Sequence, residues 1–320
     1  MIFRTVTEIP DDGLKVGYGD GILMLGSCFT VSVGERLKQR LMEVCINPFG
    51  TLYNPASIAQ AVERLVENRS FTADDLFEYK GMWHSFAHHS RFSSSDRGKA
   101  LRMINAGYTE AVEALHKAKV LIATFGTAYV FKRGGAVVAN CHKLPACEFE
   151  RVMLGVDETV GIWSKTVELL AKFNPVMKIV FTVSPIRHLA DGLHGNQLSK
   201  ATLLLAVDAL VKKYGQCSYF PSYEIMTDEL RDYRFYAADM THPSEVAVDY
   251  VMERFADAYF TADTCRKAEA CLKLYRMANH RPLTDNAAEI SRFRESMRAY
   301  ACKLSEKLPC IADKIAVLLQ

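Results

Sequence analysis

The sequence contains no stretch approaching the roughly 18 consecutive apolar residues that cross a bilayer. The segment from Met1 to Asp12 carries three acidic residues and Pro10 and lacks the apolar run of a signal peptide, so a cytoplasmic protein with no membrane partner is expected. An excess of one charge is also missing. The 39 basic residues nearly cancel the 37 acidic ones, leaving a formal +2, and no whole-chain field draws in nucleic acid. The nine cysteines form no C-x-x-C pair, and their number is odd. That argues against both a zinc site built on paired thiolates and a disulfide framework. They read as reduced thiols, most of them small buried apolar residues. Internal repeats and low-complexity segments are absent.

What is present is a chain of 320 residues, 49% of them hydrophobic, enough for a substantial core. Short apolar runs at Ile22 to Leu25, Glu43 to Ile46, Val120 to Thr124, Lys178 to Val183 and Cys217 to Phe220 read as buried strands. Between them lie stretches with helical spacing, such as Val33, Leu37 and Leu41, or Leu203, Val207, Leu210 and Val211. Alternating strands and helices predict an α/β fold with a parallel sheet covered on both faces and ligands bound beyond the carboxyl ends of the strands. The region 71–106, rich in Ser, His, Asp and aromatics, interrupts the rhythm and reads as an insertion. The chain from Ala262 onward turns helical and charged, so a main domain over 1–261 and a helical extension over 262–320 are expected.

Two motifs carry chemistry. Gly26-Ser27-Cys28 closes the first strand and opens a helix, where free backbone N–H groups can stabilise an oxyanion. Alone, such a serine is more often a helix cap. The second motif is Asp239-Met240-Thr241-His242-Pro243, with Pro243 suited to the first turn of the helix that follows. An aspartate three residues before a histidine in a turn can accept the Nδ1 proton and leave Nε2 free to deprotonate a hydroxyl. Together they supply nucleophile, base and orienter, with Ser27 facing His242 and Cys28 turned into the protein.

Gly26-Ser27 with Asp239-x-x-His242-Pro243 resembles the first and last blocks of the SGNH (GDSL-like) hydrolases. More narrowly, Gly26-Ser27-Cys28-Phe29-Thr30 is similar to the signature of the GSCFA family, with Thr30 in place of its alanine. Supporting matches run through Asn47-Pro48-Phe49-Gly50-Thr51-Leu52-Tyr53-Asn54-Pro55, Phe125-Gly126-Thr127-Ala128, Asn140-Cys141-His142-Lys143 and Val183-Ser184-Pro185-Ile186-Arg187-His188, so that the resemblance covers residues 15–260. It implies a flavodoxin-like three-layer α/β/α fold and a Ser27–His242–Asp239 triad. It also implies an oxyanion hole built from the Ser27 backbone N–H, that of Gly50, and an asparagine amide. Position 128, where that asparagine would stand, holds alanine, and Thr127, Asn54 and Asn140 are the candidates to replace it.

The expected activity is cleavage of an ester of a small molecule or carbohydrate through an acyl-serine, deacetylation included. Acyl transfer on the same triad and a non-catalytic binding module stay open as alternatives. Arg187, His188, Asn196 and Lys200 follow the fourth strand at the ligand-binding end of the sheet. These four, together with His142 and His88, are the expected substrate contacts. His84, His88 and His89 lack a carboxylate or thiolate at a spacing that completes a metal site, so the insertion reads as a pocket wall and no metal or cofactor is expected.

Overall fold

The apolar run at Ile22 forms strand β1 (Gly21–Gly26), buried along its whole length in a computed structural model that describes residues 4–319. Helix α1 (Cys28–Gln39), strand β2 (Val44–Ile46) and helix α2 (Pro55–Val66) follow. Pro55 opens α2 where its missing N–H needs no partner, and the Asn54 side chain caps the helix by accepting the Ser57 N–H. A hairpin of β3 (Phe77–Tyr79) and β4 (Met82–His84) precedes α3 (Arg97–Lys117) and β5 (Ala118–Phe125). Next come β6 (Tyr129–Arg133), β7 (Ala136–Val138) and β8 (Glu150–Met153), then α4 (Val156–Phe173) and β9 (Lys178–Val183). The remainder is α5 (Gly192–Lys213), β10 (Cys217–Tyr219), the short α6 (Ser222–Glu224), α7 (Glu245–Tyr259), α8 (Ala262–Ala278), α9 (Ala287–Lys307) and α10 (Ala312–Leu318).

The five expected strands form one parallel sheet in the order β10-β9-β5-β1-β2. Side chains alternate across it. Leu23 and Leu25 of β1 pack with Ile58, Ile104, Trp163 and Leu203 from α2 to α5, whereas Ile22 and Met24 pack with Val33, Val251 and Phe255 from α1 and α7. The result is a three-layer α/β/α architecture, as the alternation of elements predicts. From β1 the chain runs to β2 on one side and then to β5 on the other. The carboxyl ends of β1 and β5 therefore flank a switch point, the place where such sheets leave a crevice for a ligand.

Two parts differ from the sequence reading. The region 71–106 holds the β3–β4 hairpin and the first part of α3, so its last third belongs to the regular crossover from β2 to β5. A second sheet, β7-β6-β8, was not anticipated. Its β6–β7 turn is Gly134-Gly135, both at positive φ, which a tight two-residue hairpin demands. Beyond Ala262 the chain is helical, and Cys271, Leu274, Ala301, Leu304 and Ile315 form a small apolar cluster that includes Leu41. No helix among the described residues is long and apolar enough to cross a membrane.

Candidate active site

Gly26 ends β1 at φ 152, and a Cβ there would stand 2.3 Å from the Thr124 carbonyl oxygen and 2.8 Å from Thr30 Oγ1. Only glycine fits this turn. Its N–H donates to the Asn47 Oδ1 at 2.8 Å, and the Asn47 amide reaches the Ser27 carbonyl at 3.5 Å, so one buried side chain ties the end of β1 to the residue after β2. Ser27 is the N-cap of α1 in an extended conformation, 1% exposed. Its hydroxyl has no hydrogen-bond partner, and its N–H donates to the Thr124 carbonyl at 3.3 Å.

The residue that faces the histidine is Cys28. Its Sγ lies 3.9 Å from His242 Nε2, and the thiol is half-buried at the first position of α1. This corrects the expectation that Ser27 meets His242 and Cys28 turns inward. The physical reason is that Ser27 is still extended chain folded against Thr124, so the first side chain to swing out over the cleft belongs to the first helical residue. Burial pushes the Cys28 thiol up, while its own backbone N–H, the neighbouring Tyr53 hydroxyl and the Lys200 ammonium act in the opposite direction.

His242 stands in the loop before α7. Its Nδ1–H donates to Asp239 Oδ2 at 2.6 Å, and the other carboxylate oxygen accepts the backbone N–H groups of Thr241 and His242, each at 2.9 Å. Those backbone bonds, with the imidazole, hold the Asp239 carboxyl well below the usual carboxylate range. Nδ1 is thereby the protonated nitrogen, and Nε2 presents its lone pair to the thiol. Pro243 is not inside the helix as expected. It precedes the Ser244 N-cap and pairs in a bridge with Tyr236, fixing the base of the loop.

The thiol opens into a cleft of about 650 Å³ whose lining includes Ser27, Asn54, Thr127, Asn140, Arg187, His188 and His242. Like Asn140, Asn54 lines the cleft with a free amide donor. Its Oδ1 caps α2, and its amide has no hydrogen-bond partner among the described residues. Thr127 is less free: its N–H donates to the Tyr53 carbonyl at 2.9 Å, and its hydroxyl meets Ser199 Oγ and accepts the Tyr129 N–H. Asn140 lines the wall and uses its Oδ1 on the His142 N–H. Gly50 has its N–H engaged: it donates to the Asn47 carbonyl at 2.7 Å, and its φ of 80 serves a turn packed on His89. Position 128, the buried alanine, directs its N–H to Ser199 Oγ at 2.7 Å.

Among the expected substrate contacts the structure brings Arg187 and His188 to the cleft and leaves four behind it. Lys200 is 1% exposed and donates to the Gly126 and Ser184 carbonyls, each at 2.6 Å, with its pKa lowered by burial to about 7. Asn196 Oδ1 accepts the His188 N–H at 3.0 Å. Both act as struts for the cleft. His188, half-buried with its ring edge-on to Tyr53, is held neutral by burial and by Lys200, down at about 4. His88 is buried among Phe49, Phe71 and Phe92, and His142 among Phe77, His84 and Phe86, where burial lowers them to about 3 and about 4. Both are core histidines, His88 within the insertion and His142 beyond β7 with its ring packed against the insertion. No set of three His, Cys, Asp or Glu side chains among the described residues is grouped to hold a metal.

Sequence reasoning missed the walls. Tyr129, Phe131, Val138 and Arg151 come from the β6–β8 sheet, and the Gly134-Gly135 pair between two β-rich runs was the signal that could have found it. Of the cysteines, only Cys45, Cys217 and Cys271 are buried, while Cys147, Cys302 and Cys310 are exposed.

The family model described as GSCFA family matches residues 21–255. No curated protein matches the chain. Among solved structures, a Streptococcus pneumonia protein provisionally described as a platelet activating factor is similar at 12% identity, with 76% of this chain and 86% of that chain covered and a TM-score of 0.36.

Proposed function

The chain belongs to the GSCFA family, and from the site that the family match spans we propose an SGNH-type acyl hydrolase in which the Cys28 thiol, rather than the Ser27 hydroxyl, is the nucleophile. The observation that carries this reading is the line Cys28 Sγ to His242 Nε2 at 3.9 Å and His242 Nδ1 to Asp239 Oδ2 at 2.6 Å. His242 takes the thiol proton as sulfur adds to the ester carbonyl, and returns it to the departing alkoxide, leaving a thioester on Cys28. Water then adds with His242 as base, the thiol leaves, and the acid is released. Asp239 holds the imidazole tautomer and stabilises its cation. The N–H groups at the start of α1 and the Asn54 amide are the donors for the tetrahedral oxyanion.

Hydrolysis is favoured over transfer by the openness of the base: the His242 side chain is 46% exposed, so water has direct access. The test is turnover of 4-nitrophenyl acetate and of acetylated sugars, with mass analysis of the protein during the burst. Cys28→Ala should abolish turnover and the acyl adduct, and Ser27→Ala should keep both. Loss of both in Ser27→Ala with retention in Cys28→Ala would return the nucleophile to the serine. Absence of any adduct in wild type would favour a binding module.

A further inference from the structure

The cleft at Cys28 is short of negative charge. None of its lining residues is an aspartate or a glutamate, yet two arginines line it. The Arg151 guanidinium is neutralised by an ion pair with Asp191 and lies 5.0 Å from the ring centroids of both Tyr129 and Phe131. Arg187 has no such partner. It is half-buried, lies 5.8 Å from the centre of the Tyr236 ring, and has neither a carboxylate nor a hydrogen-bond acceptor among the described residues. The neighbouring His188 N–H is pinned to Asn196 Oδ1, which fixes the loop that presents Arg187. Below the cleft floor Lys200 bonds only to the Gly126 and Ser184 carbonyls, so it brings no carboxylate to Arg187.

A half-buried guanidinium without a counter-ion has lost part of its hydration and gained only the weak attraction of the Tyr236 ring for it. A ligand anion is the missing partner. With one cation unpaired in the cleft, a singly charged carboxylate balances the site, whereas a phosphate monoester, carrying about −1.5 to −2, would leave excess charge. We propose that the substrate carries a carboxylate close to its scissile acyl bond and that Arg187 binds it as a planar, two-pronged donor. This rests on the reading of Cys28 as the reacting group.

The test uses two alkylating agents of nearly equal shape, iodoacetate and iodoacetamide, with the full chain and peptide mapping of each cysteine. Exposed Cys302 is the internal reference. A neighbouring unit charge in a cleft open to water is worth roughly a five- to tenfold change in encounter. The iodoacetate to iodoacetamide rate ratio at Cys28 should exceed that at Cys302 by roughly this factor. Arg187→Gln should bring it down to the reference, and Arg187→Lys should keep most of it. A wild-type ratio no higher than at Cys302, an unchanged ratio in Arg187→Gln, or failure of both reagents to reach Cys28 overturns the proposal. The two readings fail separately. Cys28-dependent ester turnover with an unremarkable ratio removes only the carboxylate site, and a raised ratio with no turnover removes only the hydrolase.

Discussion

Asp239 holds His242 at two points: one carboxylate oxygen accepts the histidine's backbone N–H and the other its Nδ1–H. The loop and the ring are therefore oriented by a single exposed side chain. Asp239→Asn keeps an oxygen for the backbone but places an NH2 group or the wrong acceptor against Nδ1, which favours the unproductive tautomer. Turnover should fall by about a thousandfold or more, with an unchanged melting temperature. Equal activity of the variant and wild type would remove Asp239 from the mechanism.

Asn54 caps α2 with its oxygen, and the oxyanion role proposed for its nitrogen can be tested separately. Asn54→Asp retains the oxygen that caps α2 and replaces the donor facing the cleft with an acceptor. Thermal stability should stay close to wild type while kcat drops about a hundred- to a thousandfold. A matching loss in Asn54→Ala, accompanied by about 1 kcal/mol of lost stability, would complete the comparison.

At Gly26 a methyl group meets backbone instead of a yielding side chain, 2.3 Å from the Thr124 oxygen, at a φ that only glycine readily adopts. Gly26→Ala should destabilise the fold by about 2–4 kcal/mol, read from denaturant unfolding. A shift below about 0.5 kcal/mol would show that the turn relaxes.

Lys200 gives a pH dependence of definite sign. Burial lowers its pKa from 10.5 to about 7, so between these values the unfolded chain holds a proton that the folded chain has given up. Stability contributed by this residue therefore rises with pH across that window and is lowest below it. The wild-type unfolding free energy should climb relative to Lys200→Met between pH 7 and 10; a flat difference would contradict the burial effect.

The central sheet was legible because its strands are buried on both faces and so read as short, nearly continuous apolar runs, and because the helices between them keep their spacing. The β6–β8 sheet was not. Phe131-Lys132-Arg133 and Glu150-Arg151-Val152 mix charge with apolar residues, as strands do when one face is open to solvent. At the site, Asp239 and His242 were readable from local spacing, since both lie in one turn. The choice between Ser27 and Cys28 was not, because it depends on where extended chain becomes helix. That boundary is set by Gly26 at φ 152 and by the Thr124 carbonyl, which comes from a strand far away in the chain. The Ser27 N–H, which was expected to serve an oxyanion, is turned to the Thr124 carbonyl by the same extended chain. Lys200, Asn196, His88 and His142 were expected at the substrate, but spacing alone does not say whether a side chain points into a cleft or into the packing behind it.

The two halves of the reactive pair live in different surroundings: the thiol is rooted in a helix packed on the central sheet, and the imidazole hangs from a loop whose Asp239 and His242 side chains are 51% and 46% exposed. Loops of that kind open far below the free energy at which a sheet comes apart. On warming, the base should swing away from the sulfur while the scaffold is still whole, so heat would silence the protein reversibly, several degrees before it melts.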